Sequence, residues 1–301
     1  MPMHIPVLLD AVLTRLNCQG GVFVDGTFGA GGYTRAILNA HPENQIIAFD
    51  RDPTVKPIAD KVKAEFKDRF TFVPDCFSRV GEYVKTPVDG FVLDLGVSSM
   101  QIDGAERGFS FRLDGPLDMR MSGVGQSAAD VVNNFDEKEL ADILYTYGEE
   151  KQSRKIAKAI MANRPITTTQ KLAEIIHSVM PRPKDGSDSA MRSFQALRIC
   201  VNDELGELKR ALNASLKILK PQGRLVVVSF HSLEDRIVKD FLKENTSPRQ
   251  HKNKYATENL STDKAFVIPE KEIVMADDNE LKNNPRAHSA KLRWAVRTEA
   301  L

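Results

Sequence analysis

The segment Val22-Phe-Val-Asp-Gly-Thr-Phe-Gly-Ala-Gly-Gly-Tyr33 constrains this chain most, because an apolar run ends in an acid and then in four glycines. Val22 to Val24 has the composition of a short buried strand, and Asp25 closes it. Gly26, Gly29, Gly31 and Gly32 form a turn whose main chain can approach a ligand with no Cβ in the way. Tyr33 to Asn39 continues as a helix. Open α/β sheets bind nucleotide-like ligands at such a strand, turn and helix, outside the carboxyl ends of the strands.

The next acids narrow the ligand. Gln45 to Phe49 reads as a second strand ending in Asp50, at the spacing expected of a carboxylate that accepts from ribose hydroxyls. The glycines do not fit the G-x-G-x-x-G of dinucleotide sites, since Gly29-Ala-Gly31-Gly32 runs on into Tyr33 and Thr34. An adenosine that carries a sulfonium and no phosphate needs no pyrophosphate turn and suits an acidic loop. S-adenosylmethionine is the expected cofactor.

Two more apolar runs end alike. Phe70 to Val73 leads into Pro74-Asp-Cys-Phe77, and Val88 to Leu93 into Asp94-Leu-Gly-Val-Ser-Ser99. A buried strand gains nothing from a terminal carboxylate, so the repetition points to a shared site. Phe77 either packs in the core or stacks beside the adenosine, and the residues leave both open.

With His4-Ile-Pro-Val-Leu-Leu-Asp10, Glu106-Arg-Gly-Phe-Ser-Phe111, Gly115-Pro-Leu-Asp-Met-Arg-Met121, Ser229-Phe-His-Ser-Leu-Glu-Asp-Arg236 and Asn284-Pro-Arg-Ala-His-Ser-Ala-Lys-Leu-Arg293, these segments resemble the bacterial ribosomal RNA small subunit methyltransferase H family, also called MraW. The resemblance runs from the first residues to the last few. It implies an α/β, Rossmann-like S-adenosylmethionine-dependent methyltransferase sheet with an inserted α-helical domain. The implied reaction is methylation of N4 of one cytosine in the decoding region of 16S rRNA, and the implied partner is that RNA within the small ribosomal subunit. Gly31, Gly32, Tyr33, Asp50, Phe77, Asp94 and Gln101 are the implied cofactor-binding residues. Tyr33 and Met100 depart from the family's frequent His and Pro.

The strand and helix alternation covers residues 1–106, short helices take over across 107–202, and the sheet pattern returns over 203–301. In the middle part Leu172, Ile175, Ile176 and Val179 share one helical face, with Thr169 as its expected N-cap and Pro181 beyond its end. Asp203 to Leu219 reads as a longer helix and Arg224 to Phe230 as a fifth strand. From Arg286 to Arg297 basic residues alternate with Leu292, Trp294 and Val296. That pattern fits either a charge-guarded edge strand or, given the resemblance, a surface for phosphates.

With 42 basic and 41 acidic residues in 301, the overall field attracts nothing, so RNA affinity has to come from local patches. No apolar stretch approaches the roughly 20 residues of a membrane span. Met1-Pro-Met-His4 lacks the basic and then apolar pattern of a secretory signal. Cys18, Cys76 and Cys200 are too few and too scattered for a disulfide framework or a zinc site, so no metal is expected. A cytoplasmic enzyme follows, either monomer or homodimer.

Methyl transfer to an exocyclic amine sets the remaining demands. The N4 lone pair is delocalised into the ring, so the site has to accept its N–H and orient it. Asp94 is the first catalytic candidate, although it equally suits the methionine end of the cofactor. His231, at the end of the fifth strand, is the second and would bond the base or a phosphate. Asp118 and Arg120 suit an ion pair that fixes a loop. A nicotinamide dehydrogenase, a methyltransferase of another nucleic acid or a small molecule, and a non-catalytic RNA-binding assembly factor are the competing classes. The ordered strand-end groups favour the methyltransferase.

Overall fold

A computed structural model of the chain describes residues 6–181, 186, 188–246, 264–269 and 273–299. It forms two compact units, Met1–Gly96 with Leu205–Leu301, and Val97–Glu204.

The first unit is built on a sheet of β1 (Val22–Asp25), β2 (Gln45–Phe49), β3 (Phe70–Val73), β4 (Val88–Asp94), β5 (Leu219–Ser229), β6 (Phe266–Val267), β7 (Val274–Met275) and β8 (Lys291–Arg297). The order is β3-β2-β1-β4-β5-β8-β6, with β7 also paired to β8. Strands β1 to β5 are mutually parallel, and β8 runs antiparallel to β5. Helices at Gly32–Ala40, Lys56–Phe66, Val80–Tyr83 and Glu204–Ile218 provide the crossovers that parallel strands require. Both faces of the sheet are covered, so its strands are continuous apolar runs rather than alternating ones. Val24, Phe49, Phe91, Leu93, Leu225 and Val227 form part of its core.

Strand order reverses between β1 and β4, which places the switch point at the carboxyl ends of those two strands. Strand β5 starts earlier than the apolar run suggests. Leu219 pairs with Val88, the chain makes an excursion through Pro221 and Gly223, and pairing resumes at Arg224 opposite Gly90.

Strand β8 corrects the reading of its basic face. It lies between β5 on one side and β6 and β7 on the other, so it is not an edge. Arg293 is 3% exposed and donates through Nε to Asp235 Oδ1 at 2.8 Å and through Nη2 to Asp235 Oδ2 at 3.2 Å. Arg297 is also buried, with Nη1 donating to the Ala265 carbonyl at 2.9 Å. Side chains held in this way are not a phosphate-binding surface.

The second unit is helical: Ser99–Asp103, Ala128–Asn134, Glu137–Gly148, Ser153–Ala162, Thr169–Val179 and Met191–Asn202. Its own core includes Leu140, Leu144, Ile156, Ile160, Leu172, Ile176 and Leu197. Its first residue is Val97 rather than the expected 107. The chain leaves the sheet at Gly96 and enters a short helix at once, because Ser98 and Gln101 form a reciprocal capping box. Thr168, not Thr169, caps the next-to-last of these helices, accepting from Lys171 N–H. Thr169 Oγ1 instead donates to the Leu113 carbonyl at 2.7 Å.

Candidate active site at the sheet edge

At the end of β1, Asp25 is fully buried, and it braces the glycine turn from below. Its Oδ1 accepts from Thr27 N–H at 3.0 Å and its Oδ2 from the Thr34 hydroxyl at 2.7 Å. Burial raises this carboxyl to about 6, against the lowering effect of those hydrogen bonds. Thr27 also accepts from Asp94 N–H through its hydroxyl at 2.7 Å. One threonine, which the sequence reading passed over, thus ties the ends of β1 and β4 together.

Asp50 directly follows β2 and holds the same turn from the other side. Its Oδ2 accepts from Gly29 N–H at 2.8 Å and its Oδ1 from Asp52 N–H at 2.9 Å. Burial raises Asp50 to about 6 as well. Each carboxylate oxygen retains a further lone pair, so the group can still accept from a hydroxyl.

The turn itself is tight. Gly31 has φ of 76°, a conformation that disfavours a side chain, and its N–H donates to the Phe28 carbonyl at 2.7 Å. A Cβ on Gly26 would lie 2.4 Å from Leu93 Cδ2 and 3.0 Å from Phe77 Cβ, so the Phe77 backbone end sits against the start of the turn. Phe77 is half-buried against the sheet core, which accommodates packing and stacking in one ring. A Cβ on Gly32 would lie 2.4 Å from Pro6 Cγ. Tyr33 is buried, and its hydroxyl donates to the Val7 carbonyl. Its phenol therefore serves an internal contact, leaving its main chain to face a ligand.

Asp94 differs from its neighbours. Its Oδ1 is shielded from solvent and has no hydrogen-bond partner among the described residues. Burial, followed by the negative charges of Asp25 and Glu234, pushes its carboxyl well above the usual carboxylate range. A buried acceptor without a donor is costly, and a cationic or N–H-bearing ligand would relieve it. S-adenosylmethionine offers an ammonium donor and a sulfonium charge, so the residues present fit that group.

His231 follows β5 and caps the helix Ser232–Asn245, with Nδ1 facing Glu234 N–H at 3.5 Å. Glu234 answers by accepting from the N–H groups of Phe230 at 2.8 Å and His231 at 3.3 Å. Nε2 lies 3.1 Å from Glu234 Oε1. One imidazole nitrogen thus serves the helix start, which the sequence reading did not foresee, while Nε2 makes no hydrogen bond among the described residues. Gln101 belongs to the helical unit, where its Oε1 accepts from Ser98 N–H at 3.0 Å.

In that unit Asp118 and Arg120 pair as expected, with Nη2 to Oδ2 at 2.6 Å and Nε to Oδ1 at 3.0 Å. Asn202, unnoticed in the sequence, fixes the same loop by accepting from Met121 N–H at 2.9 Å and donating to the Met119 carbonyl at 2.7 Å. Phe111, Arg112 and Met191 line two neighbouring cavities of this unit.

A parallel sheet with an antiparallel penultimate strand, a glycine turn and acidic strand ends defines a Rossmann-like methyltransferase of the S-adenosylmethionine-dependent class. Within that class, the chain belongs to the MraW methylase family, whose profile matches residues 1–298. It is 52% identical over 301 residues to the ribosomal RNA small subunit methyltransferase H of Cereibacter sphaeroides, an alignment spanning 99% of this chain and 91% of that protein. The protein of that name from Roseobacter denitrificans is 53% identical over 301 residues, with the same coverage of 99% and 91%. The Zymomonas mobilis protein is 50% identical over 303 residues, covering 98% and 91%. Among the described residues no helix is long and apolar enough to cross a membrane.

Proposed function

We propose that this enzyme methylates N4 of a cytosine in the decoding region of 16S rRNA, within the small ribosomal subunit in the cytoplasm. The relatives' printed names supply the substrate class. The observation that carries the chemistry is the unpartnered, buried Asp94 Oδ1 at the point where strand order reverses.

S-adenosylmethionine, when bound, supplies a methyl group on a positively charged sulfur. The acceptor amine has to give up one proton as it gains that methyl, and the proton can leave to water without a base from this chain. Asp50, oriented by Gly29 and Asp52, accepts from the ribose hydroxyls, and Phe77 offers its half-exposed ring to the adenine. Gly31, Gly32 and Tyr33 present main chain to the cofactor, and Gln101 stays a cofactor-binding residue on the resemblance alone. Asp94 accepts an N–H, either from the cytosine amine or from the cofactor's ammonium. His231, held by the helix start, contacts the base as a hydrogen-bonding group and is not needed as a proton acceptor. The helical unit, 97–204, recognises RNA, with Phe111 and Arg112 supplying the aromatic and cationic surface suited to unpaired nucleotides.

The test is methylation of 30S subunits and of naked 16S rRNA by the purified protein, followed by mass mapping of the modified nucleoside. One N4-methylated cytosine in the decoding region is expected. Methyl groups elsewhere, or none with either substrate, would overturn the reading.

A further inference from the structure

Residues Pro6 to Leu8 lie against the glycine turn and are tied there from two directions. The buried Tyr33 hydroxyl donates to the Val7 carbonyl, a bond that packing alone would not require, since a phenylalanine ring would fill the same space. Leu8, in the left-handed region with φ of 54°, donates its N–H to Glu280 Oε1 at 2.5 Å. Glu280 belongs to the short helix Asp278–Asn283, so residues 272 apart in the sequence meet beside the turn. Pro6 occupies the space that a side chain at position 32 would need. The missing Cβ of Gly32 therefore admits this segment.

We propose that Tyr33 and Glu280 are positioning residues that hold Pro6–Leu8 as a strap against the turn, so that its main chain is preformed for S-adenosylmethionine. This rests on the cofactor site proposed above. With the strap in place the turn is held at three points: Gly29 by Asp50, Gly31 by the Phe28 carbonyl, and Gly32 and Tyr33 by Pro6 and Val7. Releasing the third point frees the end of the turn that leads into the helix. The cost of ordering it then falls on binding, which raises KM for the cofactor without changing the chemical step.

Calorimetry of S-adenosylmethionine binding to the full chain tests this. Tyr33→Phe and Glu280→Ala should each weaken binding about fivefold, the scale of one hydrogen bond. Glu280→Gln keeps an oxygen that accepts from Leu8 N–H and should bind like the wild type. The double variant Tyr33→Phe with Glu280→Ala should be little weaker than either single one, because both act through one strap. Turnover of Glu280→Ala at saturating cofactor should be unchanged. Unaltered affinity in the single variants, multiplied losses in the double, or a Gln variant as weak as the Ala one would each overturn the strap. Should Tyr33→Phe fail to fold, the Ala and Gln pair at 280 decides alone. A wild-type protein that binds no S-adenosylmethionine would overturn the cofactor site itself.

Discussion

Arg293 on β8 and Asp94 on β4 are charged groups in the interior of one sheet, and their surroundings treat them in opposite ways. Arg293 meets a carboxylate with two hydrogen bonds. Asp94 keeps an oxygen with no partner among the described residues and has two further acids nearby. Along the carboxyl edge Asp25 and Asp50 have hydrogen-bond donors that Asp94 lacks, yet burial raises both of them to about 6. The pairing of Arg293 shows that this sheet can meet a buried charge with an opposite one, so a group of raised acids on one edge marks where a positively charged ligand belongs.

The largest consequence is in the pH dependence of the free protein. Asp25 and Asp50 have folded values of about 6 against an ordinary 3.8, so between those limits the native state binds more protons than the unfolded chain. Stability therefore falls as pH rises from about 4 to about 6, by about 3 kcal/mol for each group. Denaturant titrations across that range check it. Asp25→Asn, which can keep both hydrogen-bonded neighbours, should flatten the slope. Identical slopes for the variant and the wild type would remove the contrast between edge and β8.

The β8 side of the comparison is tested by Arg293→Ala. It leaves Asp235 largely buried with the more exposed Lys291, 3.5 Å away, to offset part of its charge. Urea unfolding should show a loss of about 3 kcal/mol, with RNA binding and its salt dependence unchanged per folded molecule. A flattened salt dependence in this variant would return Arg293 to phosphate contact.

That residue also shows where a sequence becomes unreadable. The glycine turn, the strand ends and the alternation of strand with helix follow from neighbouring residues, and the structure carries them at nearly the expected positions. Which way the basic face of β8 points depends on Asp235, far back in the chain, and on β6 and β7, two-residue strands too short to leave a pattern. The boundary at Gly96 was set at 107 instead, although the Ser98 and Gln101 spacing of a capping box was a local signal for it. The part of Asn202 was not legible, since an amide that fixes residues 119 and 121 has no local signature. His231 stood at the expected strand end, but the use of its Nδ1 as a helix cap is a matter of side-chain geometry.

Asp94→Asn sharpens the comparison through chemistry. It keeps the shape and an acceptor oxygen and removes the charge that Asp25 and Glu234 oppose. The free protein should become no less stable, while single-turnover methylation at saturating cofactor falls roughly a hundredfold, on the scale of losing a preorganised electrostatic contact. Set beside equilibrium binding, the same variant separates the two uses of this carboxylate. Loss of turnover with cofactor affinity retained assigns it to the cytosine amine, and parallel losses assign it to the cofactor's ammonium. Near-normal turnover would mean that the unpartnered oxygen marks no site.

The smallest effect separates holding the turn from holding the ligand. Asp50→Ala removes an acceptor for the ribose hydroxyls and also frees Gly29 and Asp52 N–H. Cofactor affinity should fall by about 2 kcal/mol, the range of a charge-assisted hydrogen bond. Asp50→Asn retains only one carbonyl oxygen and cannot serve two N–H donors and a hydroxyl together, so it should recover only part of that loss. Its free form, relieved of a buried charge, should gain stability near neutral pH. A variant that is more stable without ligand and weaker with it is what a site preorganised for a cation requires. If Asp50→Asn binds S-adenosylmethionine as the wild type does, Asp50 braces the turn much as Asp25 does, and the ribose has its acceptor elsewhere on the edge.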